Sequence, residues 1–266
     1  MNPIDALFGR LRAEKRTALI PFVGAGDPDL GATAALVREL ARRGASLIEI
    51  GFPYSDPIAD GPVIQASYTR ALKKGVRVDD IFRTMRELGG VGVPLVGMVS
   101  YSIVHRRTPE TFLRQAQEAG LSGAIIPDLP IEEAEAIARL AAARDFKLIH
   151  LVTPTTPRER AVQIAKLSTG FLYVVSTTGI TGERDRLPEQ LVGHLAWLRQ
   201  QTALPLCVGF GISTPEQVRR LREVADGVIV GSAFVRRIEQ AAQRPITEVV
   251  REVGELAQSL AAALNP

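Results

Sequence analysis

Residues 46–65, SLIEIGFPYSDPIADGPVIQ, decide the fold and carry the first chemical signal. The apolar run at 47–50 is rich in β-branched residues and closes at Gly-Phe-Pro, which predicts a buried strand. This strand carries Glu49, and an ionised carboxylate is costly to bury without a partner. The loop that follows is rich in glycine and proline and holds Asp56 and Asp60. Three carboxylates in and just after one buried strand indicate a functional site.

The same alternation of strand and helix continues along the whole chain. Strands are predicted at 18–23, 47–50, 94–99, 123–126, 147–152, 171–175, 206–208 and 227–230. Helices are predicted at 3–14, 30–43, 62–74, 79–88, 109–119, 131–143, 157–167, 188–200, 214–223 and 246–264, with a short one after 232. Alternating apolar strands and helices imply a parallel sheet covered by helices, and eight units in about 250 residues fit a (β/α)8 barrel. A doubly wound open sheet is the alternative.

No linker or low-complexity tract divides the chain, so we expect residues 1–266 to form one α/β domain. We expect that domain to be a TIM barrel with an extra N-terminal helix and additional helices. The composition, 46% hydrophobic and 23% charged, is typical of a globular protein. No secretory signal and no apolar run of about 20 residues is visible, so we expect a cytoplasmic protein.

Composition also disfavours several classes of function. The net charge is +3, but the basic residues come in scattered pairs without interleaved aromatics, which disfavours nucleic-acid binding. The single cysteine, Cys207, excludes an intrachain disulfide and is expected in the core. The three histidines are dispersed without metal-ligand spacing, so no metal is expected, and His150 is expected to be packed and hydrogen-bonded. No lysine follows a predicted strand, which disfavours a Schiff-base aldolase.

Carboxylates and clusters of glycine, proline and threonine gather after the predicted strands, whereas the segments before the strands are plainer. In barrels the chemistry lies on the loops that follow the strands. Three of these loops, at 179–182, 209–211 and 231–232, are rich in glycine, and the last runs into a short helix. Glycine lets the backbone approach a ligand, and helix N-termini attract anions, which indicates a phosphate site. Tight βα turns are the alternative explanation for these glycines.

Two carboxylates at one strand end, opposite a phosphate pocket, indicate acid–base chemistry on a phosphorylated substrate. Each carboxylate also has a plainer explanation. Glu49 could belong to a buried ion pair, Asp60 could cap the helix that begins at Pro62, and Asp56 could shape a turn. Four aromatic residues near strand ends could line a pocket for a flat aromatic group, although each alone is more often a core residue: Phe22, Tyr101, Tyr173 and Phe210.

The segment 49–62, EIGFPYSDPIADGP, closely resembles the signature of the tryptophan synthase alpha family. Further matches span the chain: IPF at 20–22, GDP at 26–28, PDLP at 127–130, TPTT at 153–156, TG at 181–182, GFGIS at 209–213 and GSA at 231–233. The resemblance implies a (β/α)8 barrel that cleaves indole-3-glycerol phosphate to indole and glyceraldehyde 3-phosphate by a retro-aldol reaction, without a cofactor.

The resemblance also implies roles for individual residues. Glu49 is the general acid–base, Asp60 accepts a hydrogen bond from the indole N–H, and Tyr173 matches the active-site tyrosine of the family. The indole would pack against Phe22, Val99 and Phe210. The phosphate would be held by Thr181, Gly182, Gly211, Gly231 and Ser232.

Two loops are mobile lids in this family, one from Pro53 to Asp60, which includes Asp56, and one around Thr181. The first lid also contacts the beta subunit, a pyridoxal-phosphate enzyme that receives the indole through a tunnel, in an α2β2 complex. The segment 176–179, Ser-Thr-Thr-Gly, departs from the family because it lacks an arginine that some members carry there.

Two other functions remain alternatives. An isomerase or epimerase of a sugar phosphate would need a metal-binding histidine set or a different catalytic pair, and the sequence shows neither. A regulatory subunit that mainly activates its partner is disfavoured because Glu49, Asp60 and Tyr173 are all present.

Overall fold

The computed structural model describes residues 1–57, 60–176, 189–209 and 211–266. Its strands are β1 (Ala18–Gly24), β2 (Ile48–Gly51), β3 (Leu95–Met98), β4 (Leu121–Ile125), β5 (Lys147–Ile149), β6 (Leu151–Val152), β7 (Leu172–Val175), β8 (Leu206–Gly209) and β9 (Gly227–Val230). Its helices are α1 (Pro3–Ala13), α2 (Leu30–Arg42), α3 (Pro62–Lys73), α4 (Val78–Leu88), α5 (Tyr101–Arg107), α6 (Pro109–Glu118), α7 (Ile131–Ala142), α8 (Arg158–Leu167), α9 (Glu189–Gln201), α10 (Pro215–Leu221), α11 (Ser232–Ile238) and α12 (Ile246–Leu264). A 3-10 turn, Glu239–Ala242, follows α11.

The strands form one sheet in the order β5-β4-β3-β2-β1-β9-β8-β7-β6, and every neighbouring pair is parallel. The two ends of this order, β5 and β6, follow one another in the chain with His150 between them. The sheet therefore closes on itself, and β5 with β6 acts as a single strand of an eight-stranded barrel. The (β/α)8 prediction is confirmed, and the open-sheet alternative is wrong.

The structure differs from the prediction at one strand and adds one helix. The continuous strand at 147–152 is interrupted at His150, where the backbone N–H donates to the Ser168 hydroxyl at 3.1 Å instead of a strand neighbour. Helix α5 was not predicted. It forms because Ser100 caps it and the Asp128 carboxylate accepts from its first N–H, that of Tyr101, at 2.7 Å. Asp128 lies 27 residues away in the sequence, so no local pattern announces this cap.

The core has two layers, one between strands and helices and one inside the barrel. Along β2, Ile48 and Ile50 pack in the outer layer, whereas Leu47 packs in the inner one. Successive side chains of a strand point to opposite faces, so Glu49 and Gly51 share the inner face with Leu47. Cys207, on β8, is fully buried in the inner layer, as expected of a core residue.

The N-terminal helix α1 closes the barrel at the ends where the strands begin. Its buried face packs with the inner layer and consists of Ile4, Leu7, Phe8 and Leu11. Asn2 caps the helix, accepting from the Ile4 N–H and donating to the Ser122 carbonyl at 3.0 Å. The site must therefore open at the opposite end, where the strands finish. In the described part of the chain no helix combines the length and apolar character needed to cross a membrane.

Candidate active site

Glu49 lies on the inner face of β2 and is 1% exposed. Among the described residues its Oε2 has no hydrogen-bond partner, and Glu49 has no ion pair. The explanation of Glu49 as half of a buried ion pair therefore finds no support in the described residues. Burial, and secondarily the charge of Asp60, raises the pKa of Glu49 to about 8, so that this carboxyl holds its proton at neutral pH.

Asp60 stands just before α3 and faces the same part of the barrel. It is not the cap of this helix, because the N-cap residue is Gly61. The loop around Asp60 is held by the Gln65 amide, which donates to the Asp60 carbonyl at 2.8 Å and to the Pro57 carbonyl at 3.1 Å. Burial is the main reason that the pKa of Asp60 is raised to about 6. A hydrogen bond from Tyr54 opposes this rise, and the nearby charge of Asp128 adds to it. Asp60 is thus ionised at neutral pH while Glu49 is not.

Tyr173 reaches the same region from β7, and its side chain is buried. Its ring occupies the space beside Gly209 on β8, where an added Cβ would lie 2.4 Å from the Tyr173 hydroxyl. A side chain at position 209 would therefore displace the tyrosine. Burial, with the charges of Glu49 and Asp60, holds the pKa of Tyr173 well above its usual value, so its hydroxyl stays protonated.

One cavity brings most of the predicted site residues together at the C-terminal end of the strands. It is lined by Phe22, Glu49, Asp60, Gly61, Ile64, Met98, Tyr173, Gly211, Ile212, Ile229, Gly231 and Ser232. The two carboxylates, the tyrosine, one predicted aromatic wall and three predicted phosphate ligands thus share a single space. A larger pocket of ≈ 480 Å³ lies at the opposite end, between α1 and the turns before β3 and β4, and none of the predicted residues that the structure describes lines it.

The structure places the remaining predicted residues elsewhere. Val99 packs in the outer layer, and its neighbour Met98 lines the cavity instead. Pro53 is buried, and Asp56 is exposed, where its carboxylate accepts from the Ser55 hydroxyl at 2.7 Å; neither lines the cavity. Three further predicted residues lie outside the described part of the chain: Thr181, Gly182 and Phe210.

Sequence reasoning overlooked several residues at the site. Ile64, Met98, Ile212 and Ile229 line the cavity, and Tyr54 and Tyr68 lie beside the carboxylates. Strand parity could have identified Met98, because Val96 and Met98 share one face and Val99 takes the other. Tyr68 could not be found this way, because a tyrosine on the buried face of a helix is usually a core residue.

An ion-pair network anchors α3 behind the site. Asp27, 2% exposed in the loop after β1, accepts two hydrogen bonds from Arg70, at 2.9 and 2.7 Å. Arg70 also donates to Glu239, just after α11, at 2.9 Å. Since Asp60 precedes α3 and Ser232 begins α11, this network ties the carboxylate side of the cavity to the side where phosphate is expected.

His150 shows where the prediction was half right. It is buried, as expected, but among the described residues its Nε2 has no hydrogen-bond partner. Burial lowers its pKa to about 4, so the ring is neutral. It does not line the cavity that holds the carboxylates.

Comparison with known proteins agrees with this geometry. The family model described as "Tryptophan synthase alpha chain" matches residues 8–265. The tryptophan synthase alpha chain of Rhodopirellula baltica is 48% identical over 276 residues, covering 100% of this chain and 99% of the relative, and that of Synechocystis is 48% identical over 242 residues, covering 90% and 92%. A crystal structure of tryptophan synthase subunit alpha from Legionella pneumophila superposes with a TM-score of 0.90 at 35% identity, covering 100% of this chain and 99% of that one. A tryptophan synthase structure from M. tuberculosis, in its aminoacrylate-bound form, includes a chain that superposes with a TM-score of 0.88 at 30% identity, covering 100% of both chains. The chain belongs to the tryptophan synthase alpha chain family.

Proposed function

We propose that this chain is a lyase that cleaves indole-3-glycerol phosphate to indole and glyceraldehyde 3-phosphate, the alpha reaction of tryptophan biosynthesis. The observation that carries the proposal is that two carboxyl groups, those of Glu49 and Asp60, line one cavity together with Tyr173. Burial raises the pKa of Glu49 to about 8 and that of Asp60 to about 6, so the two groups differ in protonation at neutral pH. Environments that push two such pKa values apart are how one site supplies both an acid and an anion.

Glu49 begins the reaction as the acid. Its proton goes to the indole ring carbon that carries the glycerol chain, which leaves positive charge on the ring and its N–H. Asp60, ionised, accepts a hydrogen bond from that N–H and stabilises the charge as it develops. The bond between the ring carbon and the glycerol chain then breaks, an aldehyde forms at the adjacent hydroxyl carbon, and Glu49 takes the proton of that hydroxyl. The proton balance closes and Glu49 returns to its starting form.

The rest of the cavity holds the substrate. Gly211, Gly231 and Ser232, together with Thr181 and Gly182, bind the phosphate. Phe22 and Met98 pack against the indole with Phe210, and Met98 takes the place that we expected for Val99. Tyr173 keeps its proton and offers a neutral hydroxyl beside both carboxylates.

The proposal extends to the assembly. The partner is the beta subunit of tryptophan synthase, a pyridoxal-phosphate enzyme, in an α2β2 complex. The loop that contains Pro53 and Asp56 serves as a lid and contacts this partner, which is supported by the exposure of Asp56 outside the cavity. Residues 1–266 act as one domain, and the protein works in the cytoplasm.

The test is indole release from indole-3-glycerol phosphate by the purified chain, with and without a beta subunit. We expect activity that rises when the beta subunit is added. Glu49→Gln should lower kcat by about 10²–10⁴, the usual contribution of a general acid–base group. Asp56→Asn, on the loop that follows β2 and outside the cavity, is the matched control and should keep kcat without the beta subunit. Full activity of Glu49→Gln, or no indole release by the wild type under either condition, would overturn the proposal.

A further inference from the structure

A second buried polar group lies behind the carboxylates. Tyr68, on α3, is 1% exposed, and among the described residues its hydroxyl has no hydrogen-bond partner. A buried hydroxyl without a partner costs stability, and native structures hold few of them without a reason. A tyrosine that only filled space here could be replaced by phenylalanine at no cost to the fold.

The position of this hydroxyl relates it to Glu49. A Cβ added to Gly51 would lie 2.6 Å from the Tyr68 oxygen, so the oxygen stands over the inner face of β2. Glu49 projects from the same face, two residues earlier. The Tyr68 ring is held between two others, with its centroid 6.4 Å from that of Phe22 and 5.6 Å from that of Tyr54.

The groups around Tyr68 come from several elements. Glu49 faces it from β2, and Tyr54 from the loop after β2; Asp60 faces it from the start of α3. Asp128, after β4, acts on Asp60 and Tyr54. Burial, followed by the charges of Asp60 and Glu49, raises the pKa of Tyr68 well above its usual value, so its proton stays in place while Glu49 exchanges its own.

Of the two carboxylates, only Asp60 has a donor in the described part of the chain, because it receives a hydrogen bond from Tyr54. Among the same residues Glu49 Oε2, the Tyr68 hydroxyl and the second oxygen of Asp60, Oδ2, are without a partner. Glu49 shares with Gly51 the face of β2 over which the Tyr68 hydroxyl stands, and it is therefore the acceptor that we assign. Tyr68 does not line the cavity in the described part of the chain, so it acts through another residue and not on the substrate. We propose that Tyr68 is a positioning residue whose hydroxyl donates a hydrogen bond to Glu49 whenever Glu49 is ionised during the reaction. This inference rests on the proposed function.

The test compares wild type with Tyr68→Phe by infrared titration of the protonated carboxyl band, which Glu49→Gln assigns by removing it. A hydrogen bond to the charged form favours that form. We therefore expect the Glu49 midpoint to rise by about one pH unit in Tyr68→Phe. The pH profile of kcat should move by the same amount. Thermal unfolding checks that the variant is folded.

Ser67→Ala is the matched control, because Ser67 is the preceding residue of α3. Its buried hydroxyl also has no partner in the described part of the chain, but it faces Gly24. Its Glu49 midpoint should equal that of wild type. An unchanged midpoint in Tyr68→Phe, or an equal shift in Ser67→Ala, overturns the inference. The infrared experiment does not depend on turnover. If the Glu49 midpoint shifts in Tyr68→Phe but the wild type releases no indole, the proposed function is overturned and the hydrogen bond from Tyr68 to Glu49 is not.

Discussion

The two ends of the barrel are built on opposite principles. At the N-terminal end, α1 buries an apolar face, the Asn2 side chain is hydrogen-bonded, and Lys147 pairs with Asp5 at 2.6 Å and Asp145 at 3.2 Å. At the C-terminal end the inner face carries carboxyl and hydroxyl groups. Four of the six buried side-chain atoms that lack a partner in the described part of the chain lie there, on Glu49, Asp60, Ser67 and Tyr68.

The difference separates stability from function. Unpartnered polar groups cost free energy, so a protein keeps them where a ligand or a reaction uses them. At the N-terminal end α1 buries its apolar face, and the side chains of Asn2 and Lys147 are paired. At the C-terminal end the same burial that costs stability raises the pKa of Glu49 and Asp60 into the range where they can exchange protons.

The largest expected effect tests the N-terminal end of the barrel, which α1 closes. Leu11→Ala removes a side chain that is 4% exposed on the inner face of α1, and it should lower the free energy of unfolding by about 2–5 kcal/mol. Leu72→Ala, at a position that is 37% exposed, is the control and should change it by less than about 0.5 kcal/mol. Denaturant titration measures both. Leu11 lies at the end of the barrel opposite the cavity, so kcat of folded Leu11→Ala should match that of wild type. A large loss of kcat would show that the C-terminal end depends on packing at the N-terminal end.

The next effect tests how much stability is lost by burying Glu49 at the C-terminal end of the barrel. The pKa of Glu49 in the folded chain, about 8, lies above its usual value of 4.5, so between these values the unfolded chain binds fewer protons. The free energy of unfolding of wild type should then fall with rising pH, relative to Glu49→Gln, by about 1.4 kcal/mol per pH unit in this window. From pH 5 to pH 7 the difference should amount to about 2–3 kcal/mol. Parallel curves for the two proteins would mean that Glu49 is not protonated in the folded state.

The smallest effect compares one glycine from each end. In Gly51→Ala the new Cβ would lie 2.4 Å from the Phe22 ring, so the variant should lose about 1–3 kcal/mol and lower kcat by displacing that ring. Gly9→Ala places its Cβ on α1 with nothing within 4 Å and should gain about 0.5–1 kcal/mol of stability. Thermal unfolding and indole release measure the pair. Equal changes in stability and in indole release in Gly51→Ala and Gly9→Ala would contradict the difference between the two ends of the barrel.

Much of this molecule follows from local sequence patterns. The periodicity of apolar residues placed the strands, because strands buried on both faces appear as short apolar runs. It also placed α1, whose apolar residues recur at helical spacing. The pattern failed at α5 and at His150, where Asp128 and Ser168, distant in sequence, supply the hydrogen bonds that decide the backbone.

The candidate site was predictable where one segment carries the chemistry. Glu49 and Asp60 stand out because a carboxylate in an apolar strand and another in the loop after it are unusual in any context. Val99 was placed on the wrong layer because its prediction came from family position, whereas strand parity assigns that face to Met98.

By itself, the sequence determined the eightfold repeat, because short apolar strands and helices alternate along the whole chain, and it singled out Glu49 and Asp60 as the candidate pair, because residue type and spacing within one segment mark them. The tertiary structure alone decided how the pair is tuned. A pKa depends on burial and on neighbouring charges, and the groups around Glu49 come from a distant strand, a loop and α3. Only folding brings the Tyr68 hydroxyl over Gly51 and leaves it, like Glu49 Oε2, without a partner among the residues that the structure describes.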